Sequence, residues 1–115
     1  DILNIYATLS AVYKSTEYMA ETERIYKKAK RFILKRGIYV AKYYVKKGEF
    51  SSALGRLNNT ETLVPNLAKN SAEAQYLIVL SQIKTLKDAD KITLISSYKK
   101  RFPKSDFIED LENLL

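Results

Sequence analysis

The 115-residue chain contains no cysteine and no histidine. Without cysteine there is no disulfide, no thiolate metal site and no cysteine nucleophile. Without histidine the commonest general base and the commonest metal ligand are both missing. The lack of cysteine leaves the compartment open, because many periplasmic proteins do without it. Proline and glycine are scarce, at two and three residues. No apolar run approaches the ~20 residues of a membrane span, and the first residues do not read as a signal peptide. No phosphate-binding loop or metal-ligand spacing appears. The acids form no paired, apolar setting visible in the sequence, so no enzyme and no cofactor are expected.

What is present is a long amphipathic pattern. Hydrophobic residues make up 46% of the chain, enough for a packed core rather than disorder and for one modest domain. From Thr16 to Gly48 there is no proline, and apolar and charged residues alternate at helical spacing. At 100° per residue, Tyr26, Ala29, Ile33, Gly37, Val40 and Tyr44 share one stripe. Arg24, Lys28, Arg31, Lys35, Lys42 and Lys46 fall opposite. The pattern predicts one helix of about 30 residues, roughly 45 Å long, serving as a spine for shorter helices. Leu34, Ile38 and Val45 lie off the main stripe, which implies neighbours on two sides.

Shorter helices are expected around this spine. Asp1 to Tyr13 reads as a helix, resembling the second half of a hairpin, so the chain is expected to be the C-terminal portion of a longer protein. Lys14-Ser15-Thr16 reads as a turn. Gly48 suits the left-handed position past a helix end, with Lys46 and Lys47 well placed against the dipole. The next helix is expected from Phe50 to Leu63, with Phe50, Ala53, Leu54, Leu57 and Thr60 inward and Pro65 as its stop. Val64 to Ala68 reads as a loop. Asn70-Ser71-Ala72-Glu73 resembles a capping box with Asn70 as the cap. It opens a strongly apolar helix to Leu86, with Ala74, Leu77, Ile78, Val79, Leu80 and Ile83. Asp88 is the expected cap of a helix burying Ile92, Ile95, Tyr98 and Phe102, ended by Pro103. Ser105 is expected to start a final short helix carrying Phe107, Ile108, Leu111 and Leu114. No strand pattern competes, so the expected class is all-α.

The net charge of +7 is uneven. Arg24 to Arg56 holds eleven Lys or Arg against one acid, Glu49, giving +10, so the remainder sums to −3. Asp106, Glu109, Asp110 and Glu112 make the C-terminal end acidic. A basic block suits an acidic protein face, anionic lipid heads or nucleic acid; it also suits a plain solvated helix face, the reading given to Lys27-Lys28 and Lys30-Arg31. A basic nucleic-acid-binding repeat protein is the alternative from another class. Against it, the basic stripe lacks interleaved exposed aromatics.

Helical hairpins with short loops call for a test of internal period. With Gly48 on the turn glycine of the 34-residue tetratricopeptide repeat, the small, aromatic and large apolar positions fall on Ala41, Tyr44, Phe50, Ala53, Leu57 and Thr60, and the closing proline on Pro65. A looser second unit takes Val79, Ile95, Tyr98 and Pro103. Pro65 and Pro103 stand 38 residues apart, about four more than the repeat, with the excess expected at Val64–Lys69. The fold expected is therefore a single tetratricopeptide-repeat domain over residues 1–115, a right-handed α-solenoid of hairpins with one long central helix.

Tyr13-x-Ser15-Thr16-Glu17-Tyr18, the long helix, Tyr39-Val40-Ala41-Lys42-Tyr43-Tyr44-Val45-Lys46-Lys47-Gly48-Glu49-Phe50, Ala53-Leu54-Gly55-Arg56-Leu57 and Pro65 together resemble BamD (ComL), the outer-membrane assembly lipoprotein family of Gram-negative bacteria. The match runs ungapped from Tyr13 to Pro65 and continues more weakly to Phe102-Pro103-Lys104-Ser105. Lys14, Gly55 and Val64 depart from the family's proline, asparagine and tyrosine. The family's lipid-bearing cysteine and first repeats are absent. The resemblance implies a non-catalytic scaffold of the β-barrel assembly machinery on the periplasmic face of the outer membrane, held by a lipid anchor outside this segment. It implies docking on the last POTRA domain of the BamA barrel subunit, possible contact with accessory lipoproteins of that machinery, and no nucleic acid. Tyr43, Lys47 and Arg56 match positions the family uses in docking, with Lys47 where arginine is usual. On residue type alone, Arg56 reads as a surface arginine, and Tyr43 and Tyr44 read as packing between hairpins, Tyr44 in the core. Another periplasmic repeat adaptor is the remaining alternative.

Overall fold

A computed structural model describes residues 2–4, 16–86 and 90–115. The expected N-terminal helix therefore lies outside the described residues except at 2–4, which are helical. The turn at Lys14-Ser15 and the cap at Asp88 lie outside them too. The described residues are all-α, with no strand. The elements are α1 (Thr16–Lys46), α2 (Phe50–Leu63), α3 (Pro65–Lys69), α4 (Ala72–Thr85), α5 (Lys91–Arg101) and α6 (Ile108–Glu112). The body is elongated, 55 × 27 × 20 Å.

The spine is one helix of 31 residues, α1. It stops because Gly48 takes φ +75°, a conformation that costs a side-chain-bearing residue roughly 1–2 kcal/mol. There the Gly48 N–H donates to Val45 O at 3.0 Å and the Glu49 N–H to Tyr44 O at 2.9 Å, satisfying carbonyls the helix end leaves free. The chain turns back into α2, which packs along the C-terminal half of α1, and α4 packs on both. Ala41 and Ala53 are wholly buried between them, with Leu57, Leu77 and Ile78. Ile38 and Val45 close on this same cluster, where the spine meets both α2 and α4. A second cluster joins α4, α5 and α6 through Val79, Ile83, Ile95, Tyr98 and Leu111. Val79, Ile95 and Tyr98, the residues of the looser second unit, thus meet in one core.

Several boundaries differ from expectation. Val64 to Ala68 is not a loop. Only Val64 leaves the helical region, at φ −136° and ψ 67°, and Pro65 is the first residue of α3. Proline disfavours helix in the residue before it, while its fixed φ and missing N–H suit a helix start. The stretch expected as a loop is thus a short helix, Pro65–Lys69. The cap of α4 is Ser71, not Asn70: Ser71 Oγ accepts from the Ala74 N–H at 3.2 Å. That register moves Glu73 out of the capping-box position, and its carboxylate instead accepts from Lys42 of α1 at 3.1 Å. The cap of α5 is Asp90, which accepts from the Thr93 N–H at 3.0 Å and the Thr93 hydroxyl at 2.6 Å. These bonds hold the Asp90 carboxyl below its ordinary range.

Ile92 is exposed rather than inward; the stripe of α5 is turned so that Leu94 joins Ile95, Tyr98 and Phe102 against the second cluster. Ser105 does not begin the last helix. Its Oγ accepts from the Phe107 N–H at 3.1 Å and meets the Tyr98 hydroxyl at 2.8 Å, in the turn before α6. Leu80 is only half-buried, while Gln75 and Ser81 of the same helix are buried.

Candidate functional site

The three residues singled out by sequence come from the α1 end and from α2. Tyr43 and Lys47 are one helical turn apart, so their side chains share a face. The Lys47 ammonium sits over the Tyr43 ring at 4.8 Å, a contact worth about 0.5–1 kcal/mol when exposed. Tyr43 is half exposed, and its ring meets Tyr44 edge-on at 5.8 Å. Tyr44 itself is partly buried against the first core cluster, so packing between helices accounts for Tyr44 and not for Tyr43.

Arg56 stands apart. It is half-buried in the middle of α2, and its carbonyl accepts from Thr60 Oγ1 at 2.9 Å. Its Nε is shut off from solvent and has no acceptor. Among the described residues, no hydrogen bond or ion pair joins Arg56 to Tyr43 or Lys47. On the wheel Arg56 points away from Leu54 and Glu61, the residues of α2 turned toward α4. The structure therefore brings Tyr43 and Lys47 together and leaves Arg56 on a separate element. A tyrosine hydroxyl, an ammonium and a guanidinium can all take carboxylates, the guanidinium bidentately.

Two features have no signal in the motifs of the sequence. One is a polar clasp at Gln75. Its Nε2 donates to Ala68 O at 3.0 Å and to Glu61 Oε2 at 3.3 Å, and its Oε1 accepts from Arg101 at 3.1 Å. Arg101 also donates to Lys69 O. This ties α2, α3, α4 and α5 through one buried amide, and nothing in the local pattern of a glutamine marks it.

The other feature lies on the basic stripe. Lys28, Phe32, Lys35, Tyr39, Lys42 and Lys46 follow one another at steps of four and three along α1, and all six are exposed. Phe32 is 69% and Tyr39 68% exposed. Exposed aromatics do interleave with the lysines, contrary to expectation, so that objection to an anionic ligand falls. Only their spacing hints at it: Phe32 and Tyr39 are seven residues apart and lie off the apolar stripe. A groove of about 450 Å³ runs beside this row, lined by Lys35, Tyr39, Lys42, Tyr43, Lys46 and Glu73. A second groove, about 650 Å³ and mostly apolar, lies among Ile2, Leu3, Ile25, Phe32, Ile33 and Leu63. Among the described residues, no helix is long and apolar enough to cross a membrane, and no group of three or more acids could hold a metal.

Comparison with known protein families, curated proteins and solved structures finds no match for this chain.

Proposed function

We propose that the chain is a tetratricopeptide-repeat scaffold of the BamD type, a non-catalytic part of the β-barrel assembly machinery. In this reading it docks on a POTRA domain of a BamA-like barrel subunit at the periplasmic face of the outer membrane. A lipid anchor outside this segment holds it there. The reading rests on the sequence resemblance. The structural observation that most supports it is where the small residues sit. Ala41, Ala53 and Thr60 are at most 3% exposed at the meeting of α1 and α2, with Leu57 between them, and Gly48 is left-handed at the turn. These are the positions at which the repeat needs close approach and a reversal. Tyr43 and Lys47 offer a phenol and a cation at the hairpin end, and Arg56 adds a half-buried guanidinium on α2. All suit an acidic partner surface.

Calorimetric titration against the soluble periplasmic part of the cognate barrel subunit tests it, with Arg56→Glu beside wild type. Saturable binding lost on charge reversal, in a variant that keeps its helical signal, supports docking through Arg56. A well-folded wild-type chain that gives no heat and no shift in sedimentation counts against the reading. Truncating one partner of a buried interfacial charge pair commonly costs about 2–5 kcal/mol, which is easily resolved.

A further inference from the structure

We infer that the row Lys28, Phe32, Lys35, Tyr39, Lys42 and Lys46 lies on an anionic phospholipid surface. The row occupies 18 residue steps of one helix, so it is a ridge about 27 Å long. Four ammonium groups stand along it, with one exposed phenyl and one exposed phenol between them. Lysine stems lie along apolar surface while the heads reach phosphates, and aromatic side chains settle at the headgroup level. Charge selects the occupant: residues 24–56 carry +10, and among the described residues Glu73 lines the groove beside the row, paired with Lys42.

Two competing occupants fit less well. A single nucleic-acid strand would stack its bases on ring faces. Of the row's two rings, Tyr39 already carries the Arg36 guanidinium over one face at 5.8 Å, and Phe32 stands seven residues, about 10 Å, away along the helix. A folded acidic protein is the partner proposed for Tyr43, Lys47 and Arg56. Tyr43 and Lys47 lie roughly 60–100° round the helix from the centre of this row; Tyr43 borders its groove, so the two surfaces adjoin, but the lipid-facing row stands without the docking reading.

The test is flotation of the chain with vesicles of phosphatidylcholine, with and without one third phosphatidylglycerol. Four proteins are compared: wild type, K28Q/K35Q/K42Q/K46Q, F32S/Y39S, and K69Q/K84Q/K100Q/K104Q as a control of equal charge loss elsewhere. Helical circular dichroism is recorded for each. Wild type is expected to float with the anionic vesicles alone, and the control to match it at low salt. Loss of each row lysine is expected to weaken partition about fivefold, so the quadruple variant loses on the order of several hundred-fold. F32S/Y39S keeps the charge and is expected to lose whatever binding survives about 0.5 M salt, where charge is screened. It decides the matter alone if the lysine variant unfolds. The inference is overturned if folded wild type does not float, if neutral vesicles serve as well, or if the control variant falls as far as the row variant. Row-dependent binding to an oligonucleotide without vesicle binding also overturns it, in favour of nucleic acid.

Discussion

Gly37 of α1 lies directly under the Thr60 side chain of α2. A Cβ added at position 37 would run into Thr60 Oγ1, Cγ2 and Cβ together. The Thr60 hydroxyl is held by its bond to Arg56 O, so the obstruction is not a freely turning group, and relief needs the helices to part. Gly37→Ala is therefore expected to destabilise the chain. Overpacking costs about 1–3 kcal/mol against about 1 kcal/mol gained in helix propensity, a net loss of up to about 2 kcal/mol. Denaturant midpoints measure it, and in a Thr60→Ala background the cost of Gly37→Ala should shrink.

The other two glycines predict opposite signs. Gly55 is exposed on α2, and a Cβ there meets nothing. Gly55→Ala is expected to gain about 0.5–1 kcal/mol by stiffening the unfolded chain. A Cβ at Gly48 also meets nothing, yet its φ of +75° is unfavourable for alanine. Gly48→Ala is expected to lose about 1–2 kcal/mol. Parallel melts of the two variants separate backbone conformation from space.

The α4 cap separates neighbouring residues. Ser71→Ala removes the acceptor of the Ala74 N–H and should cost about 0.5–2 kcal/mol. Asn70→Ala is expected to stay within about 0.5 kcal/mol. Equal losses at both positions would mean the cap is shared.

Tyr98 and Tyr76 couple folding to alkaline pH. Burial pushes both phenols above the ordinary tyrosine range, and for Tyr76 the Asp110 carboxylate adds to the effect. Unfolded, each titrates near about 10. The folded state then keeps protons that the unfolded chain releases. Stability from this source is intact below about pH 10 and is lost as pH climbs through the folded values. Denaturation across that range should show the decline. Tyr76→Phe keeps the stack on Phe107 at 4.5 Å and should make the decline shallower.

Much of this architecture was legible because it depends on neighbours in sequence. Helical period, the run without proline from Thr16 to Gly48, and a glycine placed to reverse the chain are local, and α1, α2 and α4 emerge from them closely. The burial of Ala53, Leu57 and Thr60 was legible for the same reason: period assigns a face; Ala41, which is also buried, was marked only by the repeat spacing. Caps were not, because Asn70 and Ser71, or Asp88 and Asp90, are equally able oxygen acceptors, and only the helix register chooses. Pro65 was misread because proline both ends and begins helices, and Asn66 to Lys69 are as compatible with a loop as with a turn of helix.

Tyr43, Lys47 and Arg56 could be named from the sequence. That the first two touch while Arg56 sits elsewhere depends on how two helices pack, which no local pattern encodes. Sequence alone determined that this chain is helical, basic along its spine and without cysteine or histidine chemistry. The tertiary structure decided which face of the spine is covered. The small residues Gly37 and Ala41 let α2 approach on one side, and that approach leaves Phe32 and Tyr39 among the lysines in solvent.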